Sequence, residues 1–318
     1  MAEGTFASHV AKGDAHARAG EMRAAGAWYA AALKAAQAGE PASPGEVQRI
    51  GGEMQRIQAG FARHLVESLA TDGFPQADWH PRFRKALAIM TGQARREDTG
   101  QKFLPQPTAY FHPDLPYAQF HSADRFAWAE AILAETEAIR VEAEALLGRE
   151  GTFGAYVRKT DARPQGDVHG MLDNTDWSTF DLTDKGKPVR ERVELCPVTW
   201  RTIVQNAPLC DIPNRAPSVM FSLLRAGSRI PPHEGMINAR LICHLPLIVP
   251  GNGALRVGEE VREWRTGELL VFDDSIEHEA WNDAERDRLV LIFDIWHPDL
   301  AAEERAQISA LFAAVDSY

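Results

Sequence analysis

Residues 231–250 read PPHEGMINARLICHLPLIVP, and this stretch indicates the entry to a β-barrel that binds a metal. His233 follows a Pro-Pro bend, and a strand of alternating character comes after it. Many metal-binding barrel enzymes combine two histidines with one carboxylate, and the carboxylate would be expected two residues after His233. That position is Gly235. The stretch therefore leaves open whether this is a metal site that lacks one ligand or no metal site at all.

The sequence that flanks this stretch predicts a β-sheet domain. From Pro217 onward the hydrophobic period changes from about 3.6 residues to about 2, which is typical of strands. Regularly spaced short strands with glycines between them favour a sandwich or a jelly roll. We expect His233 to begin one strand and His278 to begin another. The predicted strands are SVMFSLLR, ARLICHLPLIV, ALRVG, ELLVFDD, HEAWN and RLVLIFDIW.

The first half of the chain is predicted to be helical, so the expected fold class is α+β. Ser43 and Glu46 have the spacing of an N-cap and its capping-box partner, and apolar residues then recur every three or four positions. Residues 19–36 resemble one tetratricopeptide unit, although a plain helical hairpin fits them equally well. Another helix is expected from its N-cap Ser122 to Gly148.

These patterns divide the chain into three segments. Residues 1–92 form the helical N-terminal domain, and residues 93–120 form a proline-rich linker without helical period. Residues 121–318 contain the sheet. We expect the N-terminal helices either to bind a protein partner or to pack on the sheet domain.

Composition excludes several classes of partner. The net charge is −11 over 318 residues, and an acidic surface repels phosphate, so nucleic acid and anionic membranes are not expected partners. No apolar run approaches the roughly 18 residues of a membrane span, and no secretory signal is evident. The cysteines are sparse and have no metal-ligand spacing, which favours a reduced, cytoplasmic protein. A disulfide between Cys196 and Cys210 stays open.

Three residues on the predicted strands indicate a specific chemistry. His278 follows His233 by 45 residues, and Arg288 follows His278 by ten, at the head of a long apolar run. An arginine that enters a buried strand is costly unless it meets an anion, and a dicarboxylate fits its planar fork. Imidazole suits iron. The set therefore suggests an Fe(II) site with 2-oxoglutarate, whereas Walker, dinucleotide and serine-hydrolase motifs are absent from the sequence.

Residues 215–300 resemble the aspartyl/asparaginyl β-hydroxylase family of 2-oxoglutarate-dependent oxygenases. The resemblance lies in PSVMFSLLRAGSRIPPHEGMINARLICHLPLIVP, RVGEEVREWRTGELLVFDDSIEHEAWND and RLVLIFDIWHPDL, and it continues more weakly through FHPDLPYAQF, DWSTFDL and CPVTWRTI. It covers roughly the last 200 residues. It implies a cupin-like double-stranded β-helix for residues 121–318. Some members carry tetratricopeptide units ahead of this domain.

The resemblance also implies how iron is held. Members of this type have a glycine where other oxygenases have the carboxylate, and two histidines bind the iron. Gly235 is then the expected residue, and His233 and His278 are the metal ligands. The Asp273-Asp274 pair is expected to shape the turn before His278 and to hold its imidazole by a hydrogen bond.

Four further residues match positions of the family pattern. Ser222 and Arg288 correspond to the residues that bind the distal carboxylate of 2-oxoglutarate. His244 corresponds to a histidine near the iron-chelating end of this cosubstrate. Arg240 corresponds to a basic residue of the active site, and we assign it to a carboxylate of the substrate.

One position departs from the family pattern. A second arginine is expected two residues after Arg240, and this chain has Ile242. Either another basic residue such as Arg225 or Arg158 compensates, or the substrate differs from an aspartyl or asparaginyl side chain.

The expected function is an Fe(II)- and 2-oxoglutarate-dependent hydroxylase that consumes O₂. Its expected substrate is an aspartyl or asparaginyl β-carbon in a peptide, a free amino acid or a carrier-bound residue. A non-catalytic helical and jelly-roll module that binds a small acid or a partner is the alternative. A cupin with another metal chemistry is a third reading, although it would not need Arg288.

Overall fold

The computed structural model describes residues 4–97, 100–159, 164 and 170–318, and the chain divides into two units. Unit 1 comprises Met1–Trp79, Lys159–Val168 and Ala310–Tyr318, and unit 2 comprises His80–Arg158 and His169–Ser309. Each unit has its own apolar core. The boundaries at 92 and 120 predicted from sequence stay predictions.

Unit 1 is helical. It contains α1 (Phe6–Arg18), α2 (Met22–Gln37) and α3 (Pro44–Thr71). Its core is formed by one face of each of these helices, with the buried residues Phe6, Val10, Ala25, Tyr29, Ala32 and Ile50. The helical prediction is confirmed, whereas the tetratricopeptide character of residues 19–36 stays a prediction.

The start of α3 has the predicted cap. The Ser43 Oγ accepts a hydrogen bond from the Glu46 amide at 3.2 Å, and Pro44 occupies the first helical turn. This bond satisfies one of the amides that a helix N-terminus leaves without a partner.

Replacing Ser43 by alanine is expected to destabilise unit 1 by about 1 kcal/mol, because the Glu46 amide loses its acceptor. Urea unfolding followed by circular dichroism measures the change. Ser43→Asp keeps an acceptor and is expected to stay close to wild type. Equal stability of Ser43→Ala and wild type would contradict the capping role.

The helices of unit 2 lie before, between and after its strands. The predicted single helix from Ser122 to Gly148 is wrong, because a 3₁₀ turn at Ala123–Arg125 is followed by two separate helices. The break is stabilised locally, since the Thr136 hydroxyl donates to the Leu133 carbonyl at 2.7 Å. The helices are α4 (Pro81–Met90), α5 (Ala129–Ala134), α6 (Thr136–Leu147), α7 (Arg190–Val193), α8 (Pro197–Asn206) and α9 (Ala302–Asp316), which ends in unit 1.

Within the described residues, the strands of unit 2 form three antiparallel sheets, of seven, four and two strands. The strands are β1 (Phe120–His121), β2 (Gly154–Ala155), β3 (Trp177–Asp181), β4 (Thr183–Asp184), β5 (Lys187–Pro188), β6 (Val219–Leu224), β7 (Ser228–His233), β8 (Arg240–Ile248), β9 (Gly253–Val257), β10 (Glu260–Glu263), β11 (Leu270–Phe272), β12 (His278–Asn282) and β13 (Arg288–Trp296). The larger sheet has the order β1-β11-β8-β13-β6-β3-β2, and the smaller has the order β10-β9-β12-β7.

This strand order is that of a double-stranded β-helix. The eight strands β6–β13 divide into β6-β13-β8-β11 in the larger sheet and β7-β12-β9-β10 in the smaller. Successive strands alternate between the sheets for most of this run, as in jelly rolls. The predicted α+β fold class with a jelly-roll domain is confirmed.

The two faces of the larger sheet pack against different elements. On β8 and β13, one set of alternate residues (Leu241, Cys243, Leu291, Phe293) packs against α5, α6 and α8. The other set points toward the smaller sheet and joins an apolar cluster with residues of β7, β9 and β12. Polar side chains on this inner face are therefore enclosed between the sheets.

The three cysteines, Cys196, Cys210 and Cys243, are buried free thiols, so no Cys196–Cys210 disulfide is present. Among the described helices, none has the length and apolar character that a membrane span requires.

Candidate active site

The two predicted metal ligands lie side by side between the sheets. His278 is the first residue of β12, as predicted, but His233 is the last residue of β7 and not the first of a strand. Because β7 and β12 are antiparallel neighbours, the end of one meets the start of the other, and His233 pairs in register with His278. The ring centroids are 4.1 Å apart.

Both imidazoles are oriented by backbone carbonyls. His233 Nδ1 lies 2.7 Å from the Pro231 carbonyl oxygen, and His278 Nδ1 lies 3.0 Å from the Ile276 carbonyl oxygen. A carbonyl only accepts, so each Nδ1 carries the proton and, in the neutral ring, Nε2 carries the lone pair. Burial, together with the neighbouring His233, lowers the pKa of His278 to about 3. The His278 imidazole is held by the backbone carbonyls of Ile276 and Asp274, so the predicted aspartate acts through its main chain and not through its carboxylate.

The space beside Gly235 is already filled. A Cβ at this position would meet the Asp274 carboxylate, with Oδ2 at 2.2 Å and Cγ at 2.4 Å. The Gly235 amide also donates to the Asp274 carbonyl at 2.7 Å. No third carboxylate, histidine or cysteine joins the two histidines as a potential metal ligand within the described ranges. The close approach of Asp274 therefore leaves no room for a side chain at position 235.

Gly235→Ala is expected to destabilise the protein by about 1–3 kcal/mol, because the new methyl group overlaps a buried carboxylate. Gly235→Ala combined with Asp274→Gly removes the overlap, so the cost of the alanine should largely disappear in that background. Urea unfolding of the four proteins of this double-mutant cycle gives the coupling energy. Additive effects of the two substitutions would contradict the overlap.

Arg288 is a buried cation without an anionic partner. It is the first residue of β13, only 1% exposed, and its Nε and Nη2 have no hydrogen-bond acceptor among the described residues. Its guanidinium lies 4.9 Å above the centre of the Trp264 ring. Burial lowers the pKa of Arg288 to about 9. A site of this kind favours a bound anion, because the charge is otherwise uncompensated.

Ser222 lies on the same inner face as Arg288. Leu224 pairs with Arg288, and Ser222 pairs with Val290, so the serine is a diagonal neighbour of the arginine. Its Oγ accepts a hydrogen bond from Trp177 Nε1 at 3.2 Å. With this lone pair occupied, the Ser222 hydroxyl keeps its own proton for donation to an acceptor.

His244 lies between Arg288 and the paired imidazoles and is linked to each through an aromatic ring. Its ring stacks on Trp264 at 5.5 Å and meets the edge of Phe272 at 4.9 Å, and Phe272 in turn contacts His278. Its Nδ1 is buried without a hydrogen-bond partner among the described residues. Burial, and then the charges of Arg288 and His278, keep the pKa of His244 well below its usual value. The rings of Trp264 and Phe272 therefore form apolar walls beside His244.

Arg240 is already engaged by two carboxylates. Its Nη1 lies 2.6 Å from Asp294 Oδ2, and its Nη2 lies 3.2 Å from Asp274 Oδ2. Burial alone would lower the pKa of Arg240, but Asp274 and Asp294 raise it overall. Burial raises the pKa of Asp294 to about 6. The assignment of Arg240 to a substrate carboxylate stays a prediction. In this structure its guanidinium is already paired with two carboxylates.

The structure thus places the six predicted residues between the two sheets: Ser222, His233, Arg240, His244, His278 and Arg288. Three further residues lie with them that the sequence did not single out. Asp294 and Trp264 contact the two arginines, and Phe272 lies between His244 and His278. Asp294 could have been found, because it lies on the inner face six residues after Arg288 on the same strand. Trp264 gave no local signal, since its contact with Arg288 crosses between sheets.

Comparison with known proteins gives a consistent result. The model of the family "Aspartyl/Asparaginyl beta-hydroxylase" matches residues 134–298. Aspartate beta-hydroxylase domain-containing protein 2 of Xenopus tropicalis is 29% identical over 305 residues, which are 90% of this chain and 80% of that protein. Ornithine lipid ester-linked acyl 2-hydroxylase of Rhizobium tropici is 35% identical over 54% of this chain and 58% of its own.

Other relatives are longer or more distant. Human aspartyl/asparaginyl beta-hydroxylase is 36% identical over 142 residues, and the chain spans only 18% of its length. Among solved structures, a Cupin 2 conserved barrel domain protein from Salinispora arenicola matches 34% of this chain and 73% of its own, with 12% identity and a TM-score of 0.23. A likeness this weak carries no argument, and the fold assignment rests on the strand order.

Proposed function

The chain belongs to the aspartyl/asparaginyl beta-hydroxylase family, and we propose that it is an Fe(II)- and 2-oxoglutarate-dependent hydroxylase. Family membership supports hydroxylase activity in general. The observation that supports 2-oxoglutarate as the cosubstrate is Arg288, which is buried on the inner face of the same sheet and whose Nε and Nη2 have no acceptor among the described residues. A dicarboxylate would compensate this charge and reach toward the histidines.

The residues present fit the proposed metal. His233 and His278 would hold Fe(II) through their Nε2 atoms, because both Nδ1 protons are committed to carbonyls. With two protein ligands, the remaining coordination positions would stay open for a keto acid and O₂. Iron bound there would supply the oxygen chemistry that converts 2-oxoglutarate to succinate and CO₂ and hydroxylates a C–H bond.

The chain's own groups would bind and orient the cosubstrate. Arg288 would donate from Nε and Nη2, and Ser222 would donate its hydroxyl to the same distal carboxylate. Trp177 fixes the Ser222 oxygen, so the serine proton is directed rather than free to rotate. His244 would face the chelating end, beside the apolar walls that Trp264 and Phe272 form.

For the substrate we propose an aspartyl or asparaginyl β-carbon in a peptide, a free amino acid or a carrier-bound residue. The names of the mammalian relatives support this class. The Rhizobium relative is named as a 2-hydroxylase of an acyl chain, so similar proteins are named for more than one kind of substrate. A protein partner for the N-terminal helices and a cytoplasmic location stay predictions.

A binding module without catalysis is the alternative proposal. Such a module would have no need for two imidazoles with matched orientation beside an anion site. A cupin of another metal chemistry would have no need for the unpaired Arg288. These two features together favour the oxygenase.

The experiment that tests the proposal is an anaerobic titration of metal-free protein with Fe(II) and 2-oxoglutarate. The expected result is a metal-to-ligand charge-transfer band, followed by succinate when O₂ is admitted. Absence of iron retention and of succinate would contradict the oxygenase and would favour the binding module.

A further inference from the structure

The indole ring of Trp264 lies beside the buried guanidinium of Arg288. Arg288 is 1% exposed, and within the residues described no carboxylate pairs with it. The carbon atom at the centre of the guanidinium lies 4.9 Å from the centre of the Trp264 ring. The face of an aromatic ring carries partial negative charge and attracts a cation, most strongly when water is excluded. Trp264 therefore supplies part of the electrostatic stabilisation that this charge lacks.

Two other arginines are stabilised in a different way. Arg240 is paired with two carboxylates. Arg229 lies 5.7 Å from the centre of the Trp281 ring, but its side chain is 58% exposed and pairs with Asp283 at 2.9 Å. A carboxylate partner accepts hydrogen bonds from a guanidinium, whereas a ring face attracts the charge and leaves the N–H groups at its edge free. Arg288 thus has an aromatic partner and keeps Nε and Nη2 unpaired among the described residues.

The Trp264 ring is fixed in this position by its own surroundings. It is 4% exposed, and its amide donates to the Gly253 carbonyl at 3.3 Å. A Cβ at position 253 would lie 3.2 Å from Trp264 Cδ1 and 2.8 Å from the Trp281 carbonyl oxygen, so the absence of a side chain at Gly253 gives the ring its room. The ring also stacks on His244, with 5.5 Å between the ring centres. A ring enclosed in this way has little freedom to turn away from Arg288.

We infer that Trp264 is a positioning residue of the anion site, because its ring holds the Arg288 guanidinium in place while no carboxylate is bound and leaves its donors free for one. This inference rests on the proposed function, in which Arg288 binds the distal carboxylate of 2-oxoglutarate, and it adds a residue that acts through Arg288. A guanidinium without such a ring face would turn toward other acceptors, and carboxylate binding would have to reverse that change. The effect of Trp264 on anion binding should therefore depend on the presence of Arg288.

Isothermal titration of full-length, metal-free protein with glutarate tests the inference. Glutarate has both carboxylates of 2-oxoglutarate but no keto group, so its binding reports on the anion site without iron. Trp264→Leu keeps an apolar side chain and removes the ring face, and it is expected to raise the Kd for glutarate about ten-fold. Trp264→Phe keeps a weaker ring face, so its Kd should rise only about two- to three-fold.

Two further variants show whether Trp264 acts through Arg288. In the Arg288→Met background, Trp264→Leu should leave the Kd for glutarate at the value of Arg288→Met alone, because no guanidinium remains to be positioned. Trp281→Leu is the matched control, since the Trp281 ring also lies beside an arginine, but that arginine, Arg229, is exposed and paired. This control should keep the wild-type Kd. Equal losses of affinity from Trp264→Leu with and without Arg288 would show a general packing role and overturn the inference.

Trp264→Phe serves as the second variant if Trp264→Leu does not fold. It is then measured in both backgrounds, and an unchanged Kd in the presence of Arg288 overturns the inference, as does wild-type protein that does not bind glutarate. Succinate formation by the wild type with Fe(II), 2-oxoglutarate and O₂ is measured in parallel. If succinate forms while the Trp264 variants bind glutarate as the wild type does, the inference fails and the proposed function stands. If no succinate forms, the proposed function fails, and glutarate binding still decides the role of Trp264.

Discussion

His233→Ala is expected to lose retained iron and to lower succinate formation by more than about 100-fold. Replacing even a group that only orients a metal ligand commonly costs 10- to 100-fold, and this change removes one of two proposed ligands outright. The His278 imidazole alone would leave the metal held by a single protein ligand. Iron content after desalting and the rate of succinate formation measure the two effects.

The matched control for this change is His16→Ala. His16 is a histidine of unit 1, and its Nδ1 is paired with Glu21 at 2.5 Å. This control should retain iron and activity. Near-normal iron content in folded His233→Ala protein would show that the two-histidine assignment is wrong.

Arg288→Met is expected to weaken 2-oxoglutarate binding by at least about 2 kcal/mol, which is roughly a 30-fold rise in Kd. Methionine approximates the volume of the aliphatic stem but removes the donors that face the carboxylate. The same change removes a buried charge for which the described part of the chain offers no anionic partner, so the ligand-free protein should be as stable as wild type or more stable. Loss of affinity without loss of stability is the specific signature of this residue.

Isothermal titration with 2-oxoglutarate and urea unfolding of ligand-free protein separate these two effects. Arg256→Met is a suitable control, because Arg256 lies on β9 and pairs with Glu277 and Glu279. That control should lose stability through its stranded carboxylates and keep its affinity for 2-oxoglutarate. If Arg288→Met binds 2-oxoglutarate as wild type does, Arg288 has no part in the cosubstrate site.

The sheet was predictable where its information is local. The strand at His278–Asn282 and the strand that begins at Arg288 follow from alternating apolar residues, which need no tertiary contact to be read. β7 was misread because Pro231 and Pro232 indicate a break. In the structure β7 is an edge strand of the smaller sheet, where a residue without an amide proton is tolerated.

The site was predictable where a single residue differs from what its neighbours in sequence lead one to expect. Arg288 was found because a cation heads an apolar run, and Gly235 drew attention because it stands where a carboxylate was expected. The filling of that space by Asp274 depends on a contact 39 residues away in sequence, which no local pattern reports. The same holds for Trp264 beneath Arg288.

The pairing of β7 with β12 has a consequence for how this scaffold tolerates change. His233 and His278 meet through the register of two neighbouring strands, so the length of chain between them does not set their distance. Residues inserted into an exposed loop between the two strands would therefore leave the separation of the imidazoles unchanged. A single-residue slip of β7 against β12, in contrast, would turn one imidazole to the opposite face of the sheet. Insertions and register errors of the same size thus have opposite outcomes for the site.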